Sequence, residues 1–112
     1  MAKWFLLGYT DCSDPSREEE FNEWYDKIHL ADALKIPGFV SATRYVNVDP
    51  NAGPGKFLVI CEIESDDIDK TMGALQEHMV QLREQGRISE LVVIVSMATY
   101  RQISSLARRN AM

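Results

Sequence analysis

The chain has 112 residues and a formal net charge of −5, from 17 acidic and 12 basic residues. This length suits one domain with a modest core. A nucleic-acid partner would require a basic patch, and acidic residues are instead spread along the chain, so we expect no nucleic-acid partner. Because no apolar run has the length of a membrane span or of a signal-peptide core, the sequence predicts a soluble, cytoplasmic protein with no membrane partner.

The cysteines and histidines do not form a metal-binding pattern. Cys12 and Cys61 are far apart in sequence, and we expect both to be free thiols, with Cys61 a small core residue. His29 and His78 have no carboxylate or thiol at ligand spacing. The Gly-Pro-rich segment 51–55 lacks the lysine and the following helix of a phosphate-binding loop. The sequence therefore predicts no metal and no cofactor.

The first third of the chain predicts a strand followed by a helix. The short apolar run at 3–10 predicts the strand. Asp14 is a suitable helix cap and Pro15 suits the first helical position, while the glutamates that follow favour the positive end of the helix dipole. The predicted helix runs to about Leu34 and is ended by the Pro-Gly pair that begins at Pro37.

The rest of the chain predicts three more strands and one more helix. That helix has apolar residues at regular helical spacing, is capped by Ser65 or Asp66, and ends near Gln85 because Gly86 follows. The strands are predicted at 39–48, 56–64 and 90–103.

The resulting order, βαββαβ, predicts an α+β, ferredoxin-like fold. In this fold one antiparallel four-stranded sheet carries both helices on the same face. We expect a single domain over residues 1–103 and a C-terminal tail over residues 104–112 that is frayed or forms a short arm.

The third and fourth strands are apolar on both faces. A sheet covered on one face should alternate apolar and polar residues, but Leu58 and Ile60 lie between Phe57, Val59 and Cys61. The helices can cover only one face, so the pattern predicts a homodimer that covers the other. The alternative is a monomer with a partly exposed apolar face.

Polar side chains share the apolar side of the first predicted helix. On a helical wheel Phe21, Tyr25, Ile28 and Asp32 fall within a narrow arc, and His29 lies on its flank. If this arc faces the sheet, its polar groups point into an apolar cleft, which is the usual form of a small-molecule site.

The segment REEEFNEWYDKIHLADALKIPGFVSATRY, residues 17–45, resembles the dimeric α+β barrel superfamily and is closest to its EthD-like branch. The resemblance implies that two sheets meet to close a barrel and that each protomer keeps a ligand pocket between its sheet and its helices. The superfamily includes cyclases, isomerases, small decarboxylases, dehydratases and heme-degrading monooxygenases. His29, placed before the Pro-Gly turn, is similar to the acid/base histidine of the methylmuconolactone isomerase branch.

Three residues are predicted to be catalytic. His29 would move a proton near neutral pH, Asp32 would orient it from one turn away, and Tyr25, or in its place Tyr45, would donate a hydrogen bond to the substrate oxygen. Each has a structural alternative: a histidine bonded to a backbone carbonyl, an aspartate that caps a loop, and a core tyrosine. The predicted substrate-binding residues are Trp24, Tyr45, Phe21, Ile28 and Tyr9.

The sequence therefore predicts cofactor-free acid/base chemistry on a small, largely apolar molecule, aromatic or lactone-like. Isomerisation, cyclisation, dehydration and decarboxylation use the same parts, within a catabolic or secondary-metabolic pathway. Two alternatives stay open. One is a non-catalytic, EthD-like binding or accessory protein of a degradation pathway, and the other is a cofactor-free oxygenase.

Overall fold

The computed structural model describes residues 1–49 and 51–108, and it confirms the ferredoxin-like α+β fold. Its four strands form one antiparallel sheet in the order β2-β3-β1-β4. A short 3-10 turn, Pro15–Arg17, precedes the first helix. The elements are β1 (Ala2–Cys12), α1 (Glu18–Trp24), a π-helical segment (Tyr25–His29), α2 (Leu30–Ala33), β2 (Phe39–Val46), β3 (Phe57–Ser65), α3 (Ile68–Glu84) and β4 (Val92–Arg101).

The two faces of the sheet are defined by the pairing of β1 with β3. Leu6 lies opposite Cys61, and both side chains are buried towards the helices. Leu7 lies opposite Ile60 on the other side, where no helix packs in the part of the chain that the structure describes. We call these the inner face and the outer face. The outer face includes Phe5, Leu7, Tyr9, Leu58 and Ile60.

An irregularity in β2 changes which side chains face inwards. Phe39 lies opposite Ile63, but the register shifts before Ser41, and Tyr45 then lies opposite Leu58. Simple alternation from Phe39 places Tyr45 on the inner face, and that expectation is wrong. The irregularity moves Tyr45 to the outer face, where its side chain is 50% exposed.

The core between the sheet and the helices has two clusters. One contains Leu6, Ile36 and Ile63 packed against the apolar side of α3. The other contains Phe21, Tyr25, Phe57 and Leu91 beneath the first helical region. The predicted apolar positions of α3 supply the contacts in the first cluster, namely Ile68, Met72, Leu75 and Met79.

The first helical region, residues 15–33, is not the single α-helix that its spacing predicts. Its start is as expected, because the Asp14 side chain accepts a hydrogen bond from the Ser16 backbone N–H at 3.0 Å and Pro15 follows. Over Tyr25–His29 the helix widens to a π-helix, and the Leu30 N–H donates to the Tyr25 carbonyl five residues earlier. This extra residue in one turn changes which side chains face the sheet.

The start of α3 also differs by one or two residues from the expected cap. The cap is Asp67, whose carboxylate accepts from the Lys70 N–H at 3.2 Å. The Ser65 hydroxyl is engaged elsewhere, since it bonds the Thr71 hydroxyl at 2.7 Å and accepts from the Asp67 N–H. Gly86 ends the helix as predicted, with a φ of +71° that favours glycine.

A buried ion pair joins the first helical region to the turn after α3. Asp32, only 1% exposed, accepts from Arg87 Nε at 2.8 Å and Nη2 at 3.0 Å, while Lys35 Nζ lies at 3.4 Å. The Arg87 hydrogen bonds hold the pKa of the Asp32 carboxyl below its usual value. Two further bonds reinforce the junction: His78 Nε2 donates to the Asp32 carbonyl at 2.8 Å and Trp24 Nε1 donates to the Arg87 carbonyl at 2.9 Å.

Residues 102–108 follow β4 without helix or strand and are exposed. The last four residues of the predicted tail, 109–112, lie outside the described residues, and the domain boundary at residue 103 stays a prediction. No helix in the described ranges is long and apolar enough to cross a membrane.

Replacing two glycines by alanine, one at a time, should change the free energy of unfolding in opposite directions. Gly38 has a φ of +94°, and an added Cβ would lie 3.0 Å from the Glu64 carbonyl oxygen. We expect Gly38→Ala to lower the free energy of unfolding by about 1–3 kcal/mol. Gly73 lies in α3 with open space around it, so Gly73→Ala should raise the free energy of unfolding by about 0.5–1 kcal/mol. Urea unfolding measures both, and a Gly38→Ala variant as stable as the parent would contradict the first expectation.

The Asp32–Arg87 pair should show strong coupling in a double-mutant cycle. Arg87→Met leaves a buried carboxylate with only Lys35 nearby, so we expect a loss of about 2–3 kcal/mol, reduced because Arg87 is partly exposed. Asp32→Asn should partly rescue Arg87→Met. Since the pKa of Asp32 is lowered on folding, its stabilisation should be present above about pH 4 and lost as the pH falls through the folded pKa.

The exposed ion pair between Lys27 and Glu23, at 2.9 Å, provides the control for this cycle. Substituting either residue should change the free energy of unfolding by less than about 0.5 kcal/mol. Additive losses at Asp32 and Arg87, measured by urea unfolding, would show that the buried pair is not coupled.

Candidate functional site

A cavity of about 720 Å³ lies between the inner face of the sheet and the helices. Its floor includes Leu6, Gly8 and Val59, and its walls include Leu30 and Met79. Gly8 on the central strand β1 helps to keep it open, since a Cβ there would lie 3.2 Å from Val59 Cγ1. The volume is in the range of sites for small organic molecules.

Two polar aromatic side chains of the π-helical segment line this cavity. Tyr25 and His29 both line it, with ring centroids 5.0 Å apart and planes at 89°. Trp24 also lines it and stacks on His29, with centroids 4.8 Å apart and planes at 22°. Trp24 and His29 are five residues apart. Residues at this spacing lie on the same side of a helix only where a π-turn is inserted. Single π-turns inside α-helices are frequent at functional sites.

Burial sets the protonation state of His29. It lowers the pKa of the imidazole below the usual 6.5, with the charge of Asp32 opposing the shift and those of His78 and Arg44 adding to it. His29 is therefore mainly neutral at pH 7. Nδ1 is buried and has no hydrogen-bond partner among the described residues, so Nε2 is the ring nitrogen that can reach a ligand.

Tyr25 is held as a neutral phenol. Its side chain is 4% exposed, and burial raises its pKa to about 12, against an opposing effect of Arg44. The Arg44 guanidinium lies 4.2 Å from the centroid of the Tyr25 ring and donates to Asp26 and Asn22 at 2.9 Å each. At neutral pH Tyr25 can therefore donate a hydrogen bond but does not act as a base.

The structure does not place Asp32 beside the cavity or on His29. Its carboxylate binds Arg87 and Lys35, and the side chain does not line the cavity. The prediction that Asp32 hydrogen-bonds and orients His29 is therefore wrong, because Arg87, 55 residues further along the chain, takes that carboxylate. The charge of Asp32 acts on His29 only through space.

The predicted binding residues divide into three groups. Trp24 lines the cavity as expected. Phe21 is fully buried beneath Tyr25 and does not reach the cavity, and Ile28 is 37% exposed because the π-turn brings His29 to the inward position in its place. Tyr9 and Tyr45 lie on the outer face, so their expected placement in the pocket is wrong.

Sequence reasoning missed several lining residues. Cys61, buried as predicted, lines the cavity as a neutral thiol because burial raises its pKa to about 11. Arg83 and Ser89 come from the end of α3 and the segment after it. Arg83 lies four residues after Met79 of the apolar stripe, and this spacing was the available signal. Within residues 1–49 and 51–108, no group of three His, Cys, Asp or Glu side chains is arranged to hold a metal.

Comparison by sequence finds no relative. No family model matches the chain. No curated protein matches it either.

Comparison by structure finds several similar chains. HapK from Hahella chejuensis has a TM-score of 0.69 and 15% identity over 96% of this chain and 99% of its own. A protein of Shewanella loihica, provisionally assigned as a monooxygenase, has a TM-score of 0.60 and 17% identity over 94% of this chain and 99% of its own. An ethyl tert-butyl ether degradation (EthD) family protein of Bacillus halodurans has a TM-score of 0.56 and 21% identity over 92% of this chain and all of its own.

A dimeric ferredoxin-like protein of Thermobifida fusca, of unknown function, has a TM-score of 0.52 and 13% identity over 90% of this chain and 92% of its own. At these identities the likeness concerns the fold. The chain therefore has a ferredoxin-like α+β fold, and the solved structures that are similar to it include an EthD family protein and a dimeric ferredoxin-like protein.

Proposed function

We propose that the protein binds a small, largely apolar molecule in the cavity and carries out cofactor-free acid/base chemistry on it. The observation that carries this proposal is the pairing of Tyr25 and His29 on one wall of an otherwise mainly apolar cavity. An aromatic or lactone-like molecule fits this chemistry, because it offers an apolar body and an oxygen that can accept a hydrogen bond.

In the proposed reaction His29 moves the proton and Tyr25 stabilises the oxygen. Neutral His29 takes a proton through Nε2 from a carbon next to a carbonyl group, and returns it to another position. Tyr25, a phenol at pH 7, donates to the carbonyl oxygen while negative charge develops there. Isomerisation, cyclisation, dehydration and decarboxylation can all proceed through this transfer.

Non-catalytic binding is the second candidate, and the environment of His29 favours it. A histidine base normally has its second nitrogen oriented by an acceptor, as in a catalytic triad. Nδ1 of His29 is buried with no such acceptor among the described residues. In a binding protein the same imidazole would donate from Nε2 to a ligand oxygen and need no orienting group.

A cofactor-free oxygenase is a third candidate, supported by the similarity to the Shewanella protein. Oxygen uptake in the presence of the ligand would reveal this activity.

Native mass spectrometry of freshly purified protein, followed by extraction of any retained small molecule, should identify a test ligand. We expect His29→Gln to lower its turnover by about 10²–10⁴-fold, with the variant still folded and still binding. Tyr25→Phe should lower turnover by a smaller factor. Because the pKa of His29 is lowered, activity should persist below pH 6.5 and be lost only when His29 becomes protonated.

The matched controls are Tyr45→Phe and Tyr100→Phe, which each remove a hydroxyl on the outer face. Neither should change turnover by more than about twofold once folding is verified. If the ligand binds but is unchanged by the parent protein, binding without catalysis is the function. Equal turnover by His29→Gln and the parent would exclude the proposed mechanism.

We also propose that the protein is a homodimer joined through the outer faces of its sheets. Apolar side chains cover the outer face of β1 and β3, and no described helix packs on them. At the sheet edges, Tyr45 and Tyr100 are 50% and 56% exposed on the same face. A contiguous apolar face of this kind is uncommon on a monomer. The dimeric ferredoxin-like protein of Thermobifida fusca supports this assembly.

A charge at the centre of the outer face should break the dimer. Leu7 lies between Ile60 and Ala98 in the sheet, so Leu7→Glu would bury a carboxylate in the proposed interface. We expect light scattering to show a dimer for the parent and a monomer for this variant. Val48→Glu, at a loop residue that is 94% exposed, is the control and should stay dimeric. A monomeric parent protein would contradict the proposal.

A further inference from the structure

The only formally charged side chain among the described residues that line the cavity is a cation, Arg83. The chain has 17 acidic residues and a net charge of −5, yet no aspartate or glutamate is part of this lining. The cavity therefore has a local charge opposite to that of the whole protein. Arg83 is an exposed residue that lines the cavity, and its charge attracts an anionic ligand because no described carboxylate neutralises it.

Arg83 differs from the other arginines that pack on the helices. Arg17, Arg44 and Arg87 each bind a carboxylate, at 2.7 to 3.0 Å. Arg83 binds no carboxylate among the described residues. Its place in the last turn of α3 is favourable for any cation because of the helix dipole. The dipole does not explain why carboxylates are absent from the cavity beside it.

Ser89 adds a second donor to the same cavity. Its side-chain oxygen accepts a hydrogen bond from the Leu91 N–H at 3.1 Å, which leaves the hydroxyl proton free to donate. Ser89 is half-buried and Arg83 is exposed, and both line the cavity. A guanidinium and a hydroxyl are both donors to an anion, and neither needs to change its protonation state to bind one.

The segment that joins these two residues is fixed in place. Gly86 and Arg87 form the turn, and their N–H groups donate to the carbonyls of Arg83 and Leu82 at 3.1 and 2.9 Å. The side chain of Arg87 is tied to Asp32 in α2. The backbone that carries both donors is therefore constrained, which fixes where the two side chains begin.

We propose that the ligand is an apolar carboxylic acid, bound as its carboxylate by Arg83 and Ser89 with its apolar body inside the cavity. This inference rests on the proposed function, since it assumes that the cavity is the ligand site. It adds the substrate class. The carboxylate lies at Arg83 and Ser89, while a second oxygen of the ligand can reach Tyr25 and His29.

A matched pair of probes tests this class directly. We would titrate the full-length protein with 2-naphthoate and with its neutral analogue 2-naphthamide by calorimetry at pH 7. The parent should prefer the acid by about ten-fold, the size expected for one charge-assisted hydrogen bond. Arg83→Gln should remove about ten-fold of affinity for 2-naphthoate and leave 2-naphthamide unchanged. Ser89→Ala should have a smaller effect in the same direction.

Arg101→Gln is the control, because it removes the same charge from β4 without touching the cavity. It should leave both affinities unchanged and so exclude an effect of net charge. Equal binding of acid and amide to the parent, or an Arg83→Gln variant that keeps the preference, would overturn the anionic subsite while the binding cavity stood. Failure of both probes to bind would count against the cavity as a ligand site, and therefore against both proposals.

Discussion

The buried ion pair between Asp32 and Arg87 is the interaction on which the arrangement of the cavity depends. It joins α2 to the turn after α3, two segments that are distant in sequence. His29 is close in sequence to Asp32, and Ser89 is close in sequence to Arg87. Both His29 and Ser89 line the cavity. Trp24 spans the same junction, because it stacks on His29 and donates to the Arg87 carbonyl. Opening this junction would separate the groups that are proposed to bind one ligand.

The π-helical segment is a second constraint, because it determines which side chains of the first helical region face the sheet. A regular α-helix would bring Ile28 towards the sheet together with Tyr25. The inserted residue brings His29 there instead and leaves Ile28 at the surface. The rings of Trp24, Tyr25 and His29 contact one another beside this turn, and these contacts help to stabilise it.

The cavity combines a neutral imidazole and a neutral phenol with an arginine. Burial lowers the pKa of His29 and raises that of Tyr25, so neither group carries charge at pH 7. The charge in the cavity is then that of Arg83 alone among the described lining residues. Such a site can hold an acidic molecule by its charged end and still leave a neutral base and a hydrogen-bond donor for a second oxygen.

Local patterns in the chain predict the order of the strands and helices, the Asp14-Pro15 helix start, the Gly86 stop and the positions of Trp24, Tyr25 and His29 on the helix that faces the sheet. These follow from local hydrogen bonding and from apolar periodicity, which neighbouring residues express directly. Four features could be seen only in the folded chain: the partner of Asp32, the inward turn of His29, the outward placement of Tyr45 and the presence of Arg83 in the cavity. Each depends on a π-turn, a register shift or a contact between distant segments, and a regular periodic pattern of residues does not predict these features.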